Sequence, residues 1–348
     1  MKICIDIGHP AHIHYFRNFM RLMSEKGHEF FVSARDKEMS HILLDKYNIS
    51  YFNRGRGSDN LVGKFFYLIK TVVILLFKCR AYKPDIFISF ASPYAAHVSR
   101  LLGISHIALT DTDNARLGML SFTPFTETIL TPSSFKKDFG RKHIRFKSFM
   151  ELCYLHPDYF KVDEDVLNDL GISAGEEFVF FRFVSFFANH DVGHSGLDKV
   201  SKISLVNEIA KKFKVLISSE SPLPRELEKY QIKVSPDKIH SVLAMAKLYI
   251  GEGATMASEC AMLGTPAIYV NSLTAGTIEE QEKYGLIYRF ANSAGVKEKA
   301  SELLNMPDLK VFFQSRRWKM LNDQIDLTSY LVWFVDNYPQ SIDSVRNS

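Results

Sequence analysis

The chain has 348 residues, of which 46% are hydrophobic and 24% are charged, with a formal net charge of +4. This length corresponds to about two domains of roughly 150 residues each, and the composition excludes a disordered chain. The mild net charge gives no indication of a nucleic-acid partner. The four cysteines have no metal-binding or redox spacing and the N-terminus shows no signal-peptide pattern, so we expect a cytoplasmic protein. We also expect no metal ion or other cofactor.

Basic residues are concentrated in the first half of the chain. Residues 1–160 carry 22 Lys and Arg against 14 Asp and Glu, whereas the remaining residues carry 21 against 25. Two segments are basic, an apolar one at 61–80 and "FKKDFGRKHIRFK" at 135–147. The longest uncharged run of the first, Thr71–Phe77, is far shorter than the ~20 apolar residues of a membrane span. These segments predict either peripheral contact with the inner face of the cell membrane, or a buried helix and a solvated loop.

Short apolar runs alternate with helical patterns, which is typical of parallel sheets with crossover helices. In the first half, the predicted strands are 2–7, 29–34, 85–90, 105–110 and 127–132. The texture becomes polar around 156–176, where we place a domain boundary.

The alternation then starts again. The predicted strands are 178–185, 214–219, 248–252 and 266–270, and the predicted helices are 201–213, 237–246 and 255–263. The sequence therefore predicts an α/β protein of two Rossmann-like, doubly wound parallel-sheet domains, at 1–160 and 170–325. Ligands of such folds bind at the carboxyl ends of the strands, which here predicts a cleft faced by both domains.

The stretch "YIGEGATMASECAMLGTPAIYVNS" at 249–272 is the most informative. A predicted strand ends in Gly251–Gly253, and a helix begins at about Thr255, whose hydroxyl can cap it. Glycines let a backbone approach a ligand closely, and the free N–H groups of a helix start favour a phosphate. Glu259 lies one turn further along the same face and can accept hydrogen bonds from both hydroxyls of a ribose. The alternative is an ordinary βαβ turn with a surface glutamate.

The same stretch resembles the C-terminal nucleotide-binding motif of GT-B fold proteins, especially the bacterial N-acetylglucosaminyltransferases that form lipid II. The matching residues are Gly253, Ala254, Ser258, Glu259, Gly264, Pro266, Ala267 and Ile268. The resemblance implies that Glu259 holds the ribose of UDP and that the helix start, including Thr255, holds the diphosphate. It also implies a C-terminal helix, at 326–348, that crosses back to the first domain.

Other positions match the same enzymes in chain order. The resemblance implies that Glu280 and Gln281 contact the donor sugar and that His240 contacts the nucleobase. In the first half, Asn114 and Gly118 match an acceptor-side loop. The whole chain resembles more closely an uncharacterised archaeal and bacterial family of GT-B-like architecture, which has no assigned reaction.

The segment "RFVSFFANHDVGHSGLDK" at 182–199 follows the first strand of the second half. In GT-B proteins this loop faces the donor diphosphate, which implies that Arg182 neutralises the departing UDP and that Ser185 donates a hydrogen bond to it. Gly, Pro and Ser usually dominate a loop, and we interpret three unusual residues here as further candidates: His190, Asp191 and His194.

Three histidines follow the first strand in "GHPAHIHYF". The resemblance places His12 at a helix N-terminus, where the helix dipole favours the neutral imidazole that a general base requires near pH 7. His9 and His14 are expected to be ordinary polar residues. Asp111 and Asp113 follow a strand end, and either could deprotonate an acceptor hydroxyl, the alternative being a helix cap.

Metal binding is a rival interpretation of these residues. His12-x-His14 resembles a pattern of metal-dependent hydrolases built on a (β/α)₈ barrel, but that fold needs more ligands at later strand ends, and only His190 and His194 are available. Asp111 and Asp113 match the Asp-x-Asp metal motif of the other large glycosyltransferase fold. We favour a site without a metal.

Three functions remain open. The first is a metal-independent glycosyltransferase with a nucleotide-sugar donor, for which we expect UDP, and a glycan or lipid-linked acceptor, acting in cell-surface glycan or glycolipid synthesis. The second is a UDP-N-acetylhexosamine 2-epimerase, and the third is a non-catalytic sugar-nucleotide-binding protein. The basic and apolar first half favours the transferase, because an epimerase needs no acceptor surface.

Overall fold

The computed structural model describes residues 1–347 except Glu38, Asp59, Asn114, Ala174, residues 185–195 and Thr274. The chain divides into two compact units, one formed by Met1–Tyr154 with Ile325–Ser348 and the other by Leu155–Gln324. Each unit contains a parallel sheet, with seven strands in the first and five in the second. These sheets confirm the predicted α/β class with two Rossmann-like domains.

The first unit alternates strands and helices. In chain order its elements are β1 (Lys2–Ile7), α1 (Pro10–Glu25), β2 (Glu29–Ala34), α2 (Ser40–Lys46), β3 (Phe52–Asn53), α3 (Leu61–Tyr82), β4 (Ile86–Phe90), α4 (Pro93–Leu102), β5 (His106–Leu109), α5 (Arg116–Phe122), β6 (Thr128–Pro132), β7 (His143–Phe146) and α6 (Leu152–Leu155). The strand order is β3-β2-β1-β4-β5-β6-β7. The connections run in opposite directions from β1, so a crevice is expected at the carboxyl ends of β1 and β4.

The second unit repeats this architecture. Its elements are α7 (Val166–Asp169), β8 (Phe178–Phe183), α8 (Lys199–Ile209), β9 (Lys214–Ser219), α9 (Ile239–Met245), β10 (Leu248–Gly251), α10 (Ala254–Leu263), β11 (Ala267–Val270), α11 (Gly276–Lys283), β12 (Ile287–Phe290), α12 (Val296–Leu304) and α13 (Leu309–Asp323). The strand order is β12-β11-β10-β8-β9, with the switch point between β8 and β10.

The basic segment at 135–147 contains a strand that the sequence did not indicate. In β7, Ile144 and Phe146 are buried while Arg145 between them is exposed, as expected for an edge strand with one face on the core. The interpretation of this segment as a solvated loop is therefore wrong for β7. The two-residue β3 and the edge strand β12 also lacked a clear apolar run.

Helices α3, α4 and α5 lie side by side on one face of the first sheet. Cys4 and Phe87 are register partners on β1 and β4, and they pack with α3 and α4. Ala108 and Ile129 are register partners on β5 and β6, and they pack with α4 and α5. Phe87 pairs with His106, two residues before Ala108, so all four core residues point to the same side. Within the described part of the chain, no helix has the length and apolar character needed to cross a membrane, and this includes the 22-residue α3.

The last two helices, α14 (Leu327–Asp336) and α15 (Gln340–Arg346), belong to the first unit. The side chain of Asp326 caps α14 by accepting a hydrogen bond from the Ser329 N–H. The Thr328 hydroxyl donates to the Cys153 carbonyl over 2.9 Å, and α14 packs against α1. Phe334 is fully buried in this packing, whereas its neighbour Trp333 is 40% exposed.

We predict that Phe334→Ala lowers the free energy of unfolding by about 3–5 kcal/mol, because it leaves a cavity between α14 and the rest of the first unit. Trp333→Ala removes a larger but exposed side chain and should cost about 1 kcal/mol or less. Urea denaturation of both variants checks this. Equal losses would contradict the described packing of α14.

Candidate functional site

The turn between β10 and α10 ends with an open helix N-terminus. Gly253 occupies the N-cap position with extended backbone angles, and no side chain in the described parts of the chain caps the helix. The expectation that Thr255 caps α10 is wrong, because the helix begins one residue earlier and Thr255 lies exposed in its first turn. The N–H groups of this turn therefore remain available to an anion such as a phosphate.

Gly251 is required by the packing at the end of β10. A Cβ atom at this position would collide with the Tyr249 hydroxyl and lie 3.0 Å from the Arg182 carbonyl oxygen. A Cβ atom at Gly253 would instead lie 3.4 Å from Val184, which is close to an ordinary contact. Gly251 thus allows β8 and β10 to pack closely, while Gly253 leaves space beside the start of α10.

Glu252, which the sequence did not single out, fixes the turn. Its carboxylate is completely buried and accepts hydrogen bonds from the N–H groups of Val184 at 3.0 Å and Leu197 at 2.9 Å. The Lys202 ammonium lies 2.9 Å from the same carboxylate. The main-chain carbonyl oxygen of Glu252 accepts a hydrogen bond of 3.1 Å from the side-chain amide of Asn271, which follows β11. One side chain thus holds both ends of the loop after β8 beside the start of α10.

Glu259 lies on α10 one turn beyond the helix start, and it is 6% exposed. Its Oε1 is 3.0 Å from Nε2 of His240 on α9, which is also buried. The structure thus brings together two residues that were predicted to contact the ribose and the nucleobase. His240 is engaged with the carboxylate, so its observed position suits orientation of Glu259 better than contact with a base.

Arg182 lies at the end of β8, and its side chain runs beside Gly253. Its guanidinium donates a hydrogen bond to the Ser218 hydroxyl at 2.8 Å and pairs with Glu220 at 2.5 Å. The contact of Arg182 with a diphosphate therefore stays a prediction, and the phosphate would have to compete with Glu220 for the guanidinium. The other predicted residues of this loop, Ser185, His190, Asp191 and His194, lie outside the described residues.

The two residues predicted to contact the donor sugar both lie on α11, but their side chains have different surroundings. Gln281 is fully buried, and its Nε2 donates a hydrogen bond of 2.6 Å to the Ser258 hydroxyl of α10. Contact of Gln281 with a sugar therefore does not fit the structure, since the amide joins two helices. Glu280 is partly exposed and pairs with Lys283 at 2.8 Å.

The first unit has a buried polar cluster at the carboxyl end of β1. The Asp6 carboxylate accepts hydrogen bonds of 2.5 Å from the hydroxyls of Ser33 and Ser92. Nε of Arg54 lies 3.0 Å from the same carboxylate, and Nη1 of Arg54 donates to the Tyr67 hydroxyl at 3.0 Å. Burial alone would lower the pKa of Arg54, but Asp6 and the neighbouring tyrosines raise it above its ordinary value. The cluster joins the ends of four strands and the helix α3.

His12 lies next to this cluster in the first turn of α1. A Cβ atom at Gly8 would lie 3.7 Å from the His12 ring and 3.9 Å from the Arg54 guanidinium. Nδ1 of His12 accepts a hydrogen bond of 3.3 Å from the Gly8 N–H. Burial, His9, Lys37 and Arg54 lower its pKa. The neutral ring therefore carries its proton on Nε2, which can donate a hydrogen bond but cannot accept a proton, and this arrangement does not fit a general base.

His9 and His14 have structural positions. His9 caps α1 by accepting a hydrogen bond from the Ala11 N–H, and the buried His14 stacks on Tyr154 with ring centroids 5.1 Å apart. Among the residues that the structure describes, neither His12 nor His14 belongs to a cluster of three or more metal-ligating side chains. The metal-hydrolase interpretation therefore finds no ligand set around them there.

The two aspartates after β5 differ in their surroundings. Asp113 is buried and accepts a hydrogen bond of 2.8 Å from the Lys136 N–H, so it holds the loop after β6. Burial raises the pKa of Asp111 from 3.8 to about 6, although a hydrogen bond from the Thr112 hydroxyl opposes the rise. Asp111 thus suits proton transfer near neutral pH better than Asp113 does. Asn114 lies outside the described residues.

The fold defines the class of protein. The chain is similar to the UDP-GlcNAc 2-epimerase of Methanocaldococcus jannaschii solved with UDP-GlcNAc and UDP, with a TM-score of 0.66, 14% identity, and coverage of 88% of this chain and 94% of that one. Another UDP-N-acetylglucosamine 2-epimerase gives a TM-score of 0.70 at 12% identity, covering 97% and 96%. The chain is also similar to the glycosyltransferase of kitacinnamycin, with a TM-score of 0.62 and 13% identity, and the match covers 96% of this chain and 98% of that one. The protein therefore has the GT-B fold.

The family is defined by sequence. The chain belongs to the family described as "Protein of unknown function (DUF354)", whose profile matches residues 1–332. It is also 24% identical, over 284 residues, to an uncharacterised protein of Methanocaldococcus jannaschii, covering 77% of this chain and 81% of that protein. The resemblances to GT-B proteins and to an uncharacterised family are thus confirmed.

We predict that Glu252→Ala lowers the free energy of unfolding of the second unit by about 3–5 kcal/mol, because it leaves Lys202 and two buried N–H groups without their acceptor. Glu280→Ala is the matched control, since it breaks only a partly exposed ion pair worth ~1 kcal/mol or less. Thermal unfolding followed by circular dichroism measures both. A loss for Glu252→Ala no larger than the control would contradict its role.

Asp111 predicts a pH dependence of stability. The pKa of Asp111 in the folded state, about 6, exceeds its ordinary value of 3.8. The stability that Asp111 contributes to the free energy of unfolding is therefore fully present below pH 3.8 and is lost as the pH rises through about 6. Asp111→Asn should therefore be more stable than the wild type at about pH 8, by up to ~3 kcal/mol, and within about 0.6 kcal/mol of it at about pH 4. Urea denaturation at both pH values tests this, and a gain that does not change with pH would contradict it.

Proposed function

We propose that the protein is a metal-independent glycosyltransferase that takes a nucleotide sugar, with UDP as the expected nucleotide, as its donor. The observation that carries the proposal is the buried Glu259 one turn beyond the open N-terminus of α10. The helix start offers N–H groups to a diphosphate, and the carboxylate offers oxygen acceptors to ribose hydroxyls. UDP-bound neighbours of the same fold support this reading of the second unit.

In the proposed reaction, the N–H groups and dipole of α10 stabilise the negative charge that develops on the departing nucleoside diphosphate. Arg182 would add positive charge if it exchanged Glu220 for the phosphate. The bond from the anomeric carbon to the diphosphate breaks, and a bond to an acceptor oxygen forms. No step requires a bound metal.

The first unit would bind the acceptor. Asp111, with a pKa of about 6, would take the proton from the acceptor hydroxyl, and the Nε2–H of His12 would orient that acceptor by a hydrogen bond. The acceptor would be a glycan or a lipid-linked glycan of the cell surface. The protein would then act in the cytoplasm or at the inner face of the cell membrane.

The donor site is tested by thermal-shift measurements with UDP, GDP, CDP and dTDP in the absence of metal. A ligand at 100 times its dissociation constant adds about 2.7 kcal/mol, which raises the melting temperature by a few degrees. We predict that Glu259→Gln weakens binding of the preferred nucleotide by about tenfold, because a charge-assisted hydrogen bond becomes a neutral one.

Glu302→Gln serves as the control, because its exposed carboxylate pairs with Lys299 on α12, a helix that carries no predicted site residue. It should bind the nucleotide as the wild type does. Equal affinity of Glu259→Gln and the wild type would contradict the donor site, as would the absence of a shift with every nucleotide.

A 2-epimerase is the second candidate, because two of the similar structures are UDP-GlcNAc 2-epimerases. Incubation with a UDP-N-acetylhexosamine in deuterium oxide separates the two reactions. An epimerase exchanges the C2 proton, so the recovered sugar nucleotide gains one deuterium without an acceptor. The proposed transferase leaves C2 unlabelled and releases UDP when an acceptor is present.

A further inference from the structure

The outer surface of α3, α4 and α5 in the first unit is both apolar and basic. Of the large hydrophobic side chains that the structure shows exposed, nine lie on these three helices. We propose that this surface, called here the α3–α5 surface, docks the protein on an anionic lipid bilayer. It consists of nine apolar residues, Val62, Phe65, Phe66, Ile69, Val73, Phe77, Leu101, Leu117 and Leu120, with the basic residues between them.

The apolar stripe on α3 is the centre of this surface. Its residues recur at steps of three and four, which places them along one side of the helix. Phe65, Phe66 and Phe77 are 59%, 65% and 70% exposed. The opposite side of α3 is already occupied, because Leu75 and Cys79 are buried against the sheet and α4. The stripe therefore contributes nothing to the core of the first unit, although an exposed row of this size normally marks an interaction site.

The charge of the surface selects its partner. The three helices contain no aspartate or glutamate in their 22, 10 and 7 residues. They carry six basic residues, all exposed: Lys64, Lys70, Lys78, Arg80, Arg100 and Arg116. An apolar stripe that inserts between acyl chains, flanked by cations that contact lipid phosphates, is the pattern of an interfacial helix. Each such cation strengthens binding to an anionic surface by roughly fivefold.

The same composition disfavours a second copy of the chain as the partner. A twofold dimer through this surface would bring each set of cations against its equivalent, with no carboxylate in the three helices to pair with them. An anionic bilayer supplies the missing negative charge. Helix α3 also joins the polar cluster of the first unit, because Tyr67 accepts a hydrogen bond from Arg54.

The inference stands apart from the proposed reaction, because vesicle binding requires neither donor nor acceptor. The test is co-sedimentation of the full-length protein with vesicles of phosphatidylcholine alone and with vesicles of equal parts phosphatidylcholine and phosphatidylglycerol. We expect the wild type to sediment with the mixed vesicles only, and to be released by high salt.

Two variants address the two components of the surface. The triple variant Phe65→Ser, Phe66→Ser, Phe77→Ser and the triple variant Lys64→Gln, Lys70→Gln, Arg80→Gln should each lower the partition coefficient at least tenfold. The control is Val200→Ser with Val311→Ser, which removes exposed apolar side chains of the second unit and should bind as the wild type. Because all the substituted residues are exposed, melting temperatures should remain close to that of the wild type.

Three results would overturn the proposal. The wild type could remain in the supernatant with mixed vesicles, or the phenylalanine variant could bind as well as the wild type. Size-exclusion chromatography with light scattering could instead show a dimer that the phenylalanine variant converts to a monomer. That result would assign the surface to contact between two copies of the chain.

Discussion

The second unit depends on one buried carboxylate at the carboxyl end of its central strands. Glu252 lies between two glycines where β10 turns into α10, and its oxygens hold the N–H groups of Val184 and Leu197. Burying a carboxylate is costly unless it is paired and hydrogen-bonded, and Lys202 supplies the pairing. The arrangement holds Val184 and Leu197, which flank residues 185–195, beside the turn that leads into α10.

The first unit uses the same device at the corresponding edge of its sheet. Asp6 lies near the end of the central strand β1. Its carboxylate binds Ser33, Ser92 and Arg54, which lie at or just beyond the ends of other strands of the sheet. In both sheets, the switch point separates the loops that follow the central strands, and a buried acid with a cation ties these loops together. The polar edges of the two units are therefore organised by their own sheets, and in the second unit the start of α10 has no side-chain cap among the described residues.

The apolar pattern of the sequence was sufficient to predict much of the fold. β1, β2 and β9 have the predicted bounds, because each is an apolar run ended by polar or glycine residues. β3 and β7 were missed because the first has only two residues and the second lies in a basic segment. The start of α10 was predicted one residue too late, because the N-cap is a glycine and the nearby threonine is a residue type that commonly caps helices.

The candidate site was only partly accessible to sequence reasoning. Glu259 was predicted from the spacing of its motif, but its contact with His240, 19 residues away, arises from the packing of α9 on α10. Asp6 and Arg54 are 48 residues apart, and the only local signal was an acidic residue inside an apolar strand. The burial of Gln281 could not be predicted because it depends on how α11 packs against Ser258. The pKa of Asp111 likewise depends on burial that the residue order does not define.

Hydrogen–deuterium exchange with and without saturating UDP is the direct test of whether the start of α10 is a nucleoside diphosphate site. We predict that UDP slows exchange in peptides that contain the start of α10, from Gly253 to Met256, because N–H groups of this turn become hydrogen-bonded to phosphate. The effect should be smaller at Val184 and Leu197, whose N–H groups are already bonded to Glu252. Binding of UDP with unchanged exchange at α10, or with protection confined to the first unit, would contradict a nucleoside diphosphate site at the start of α10.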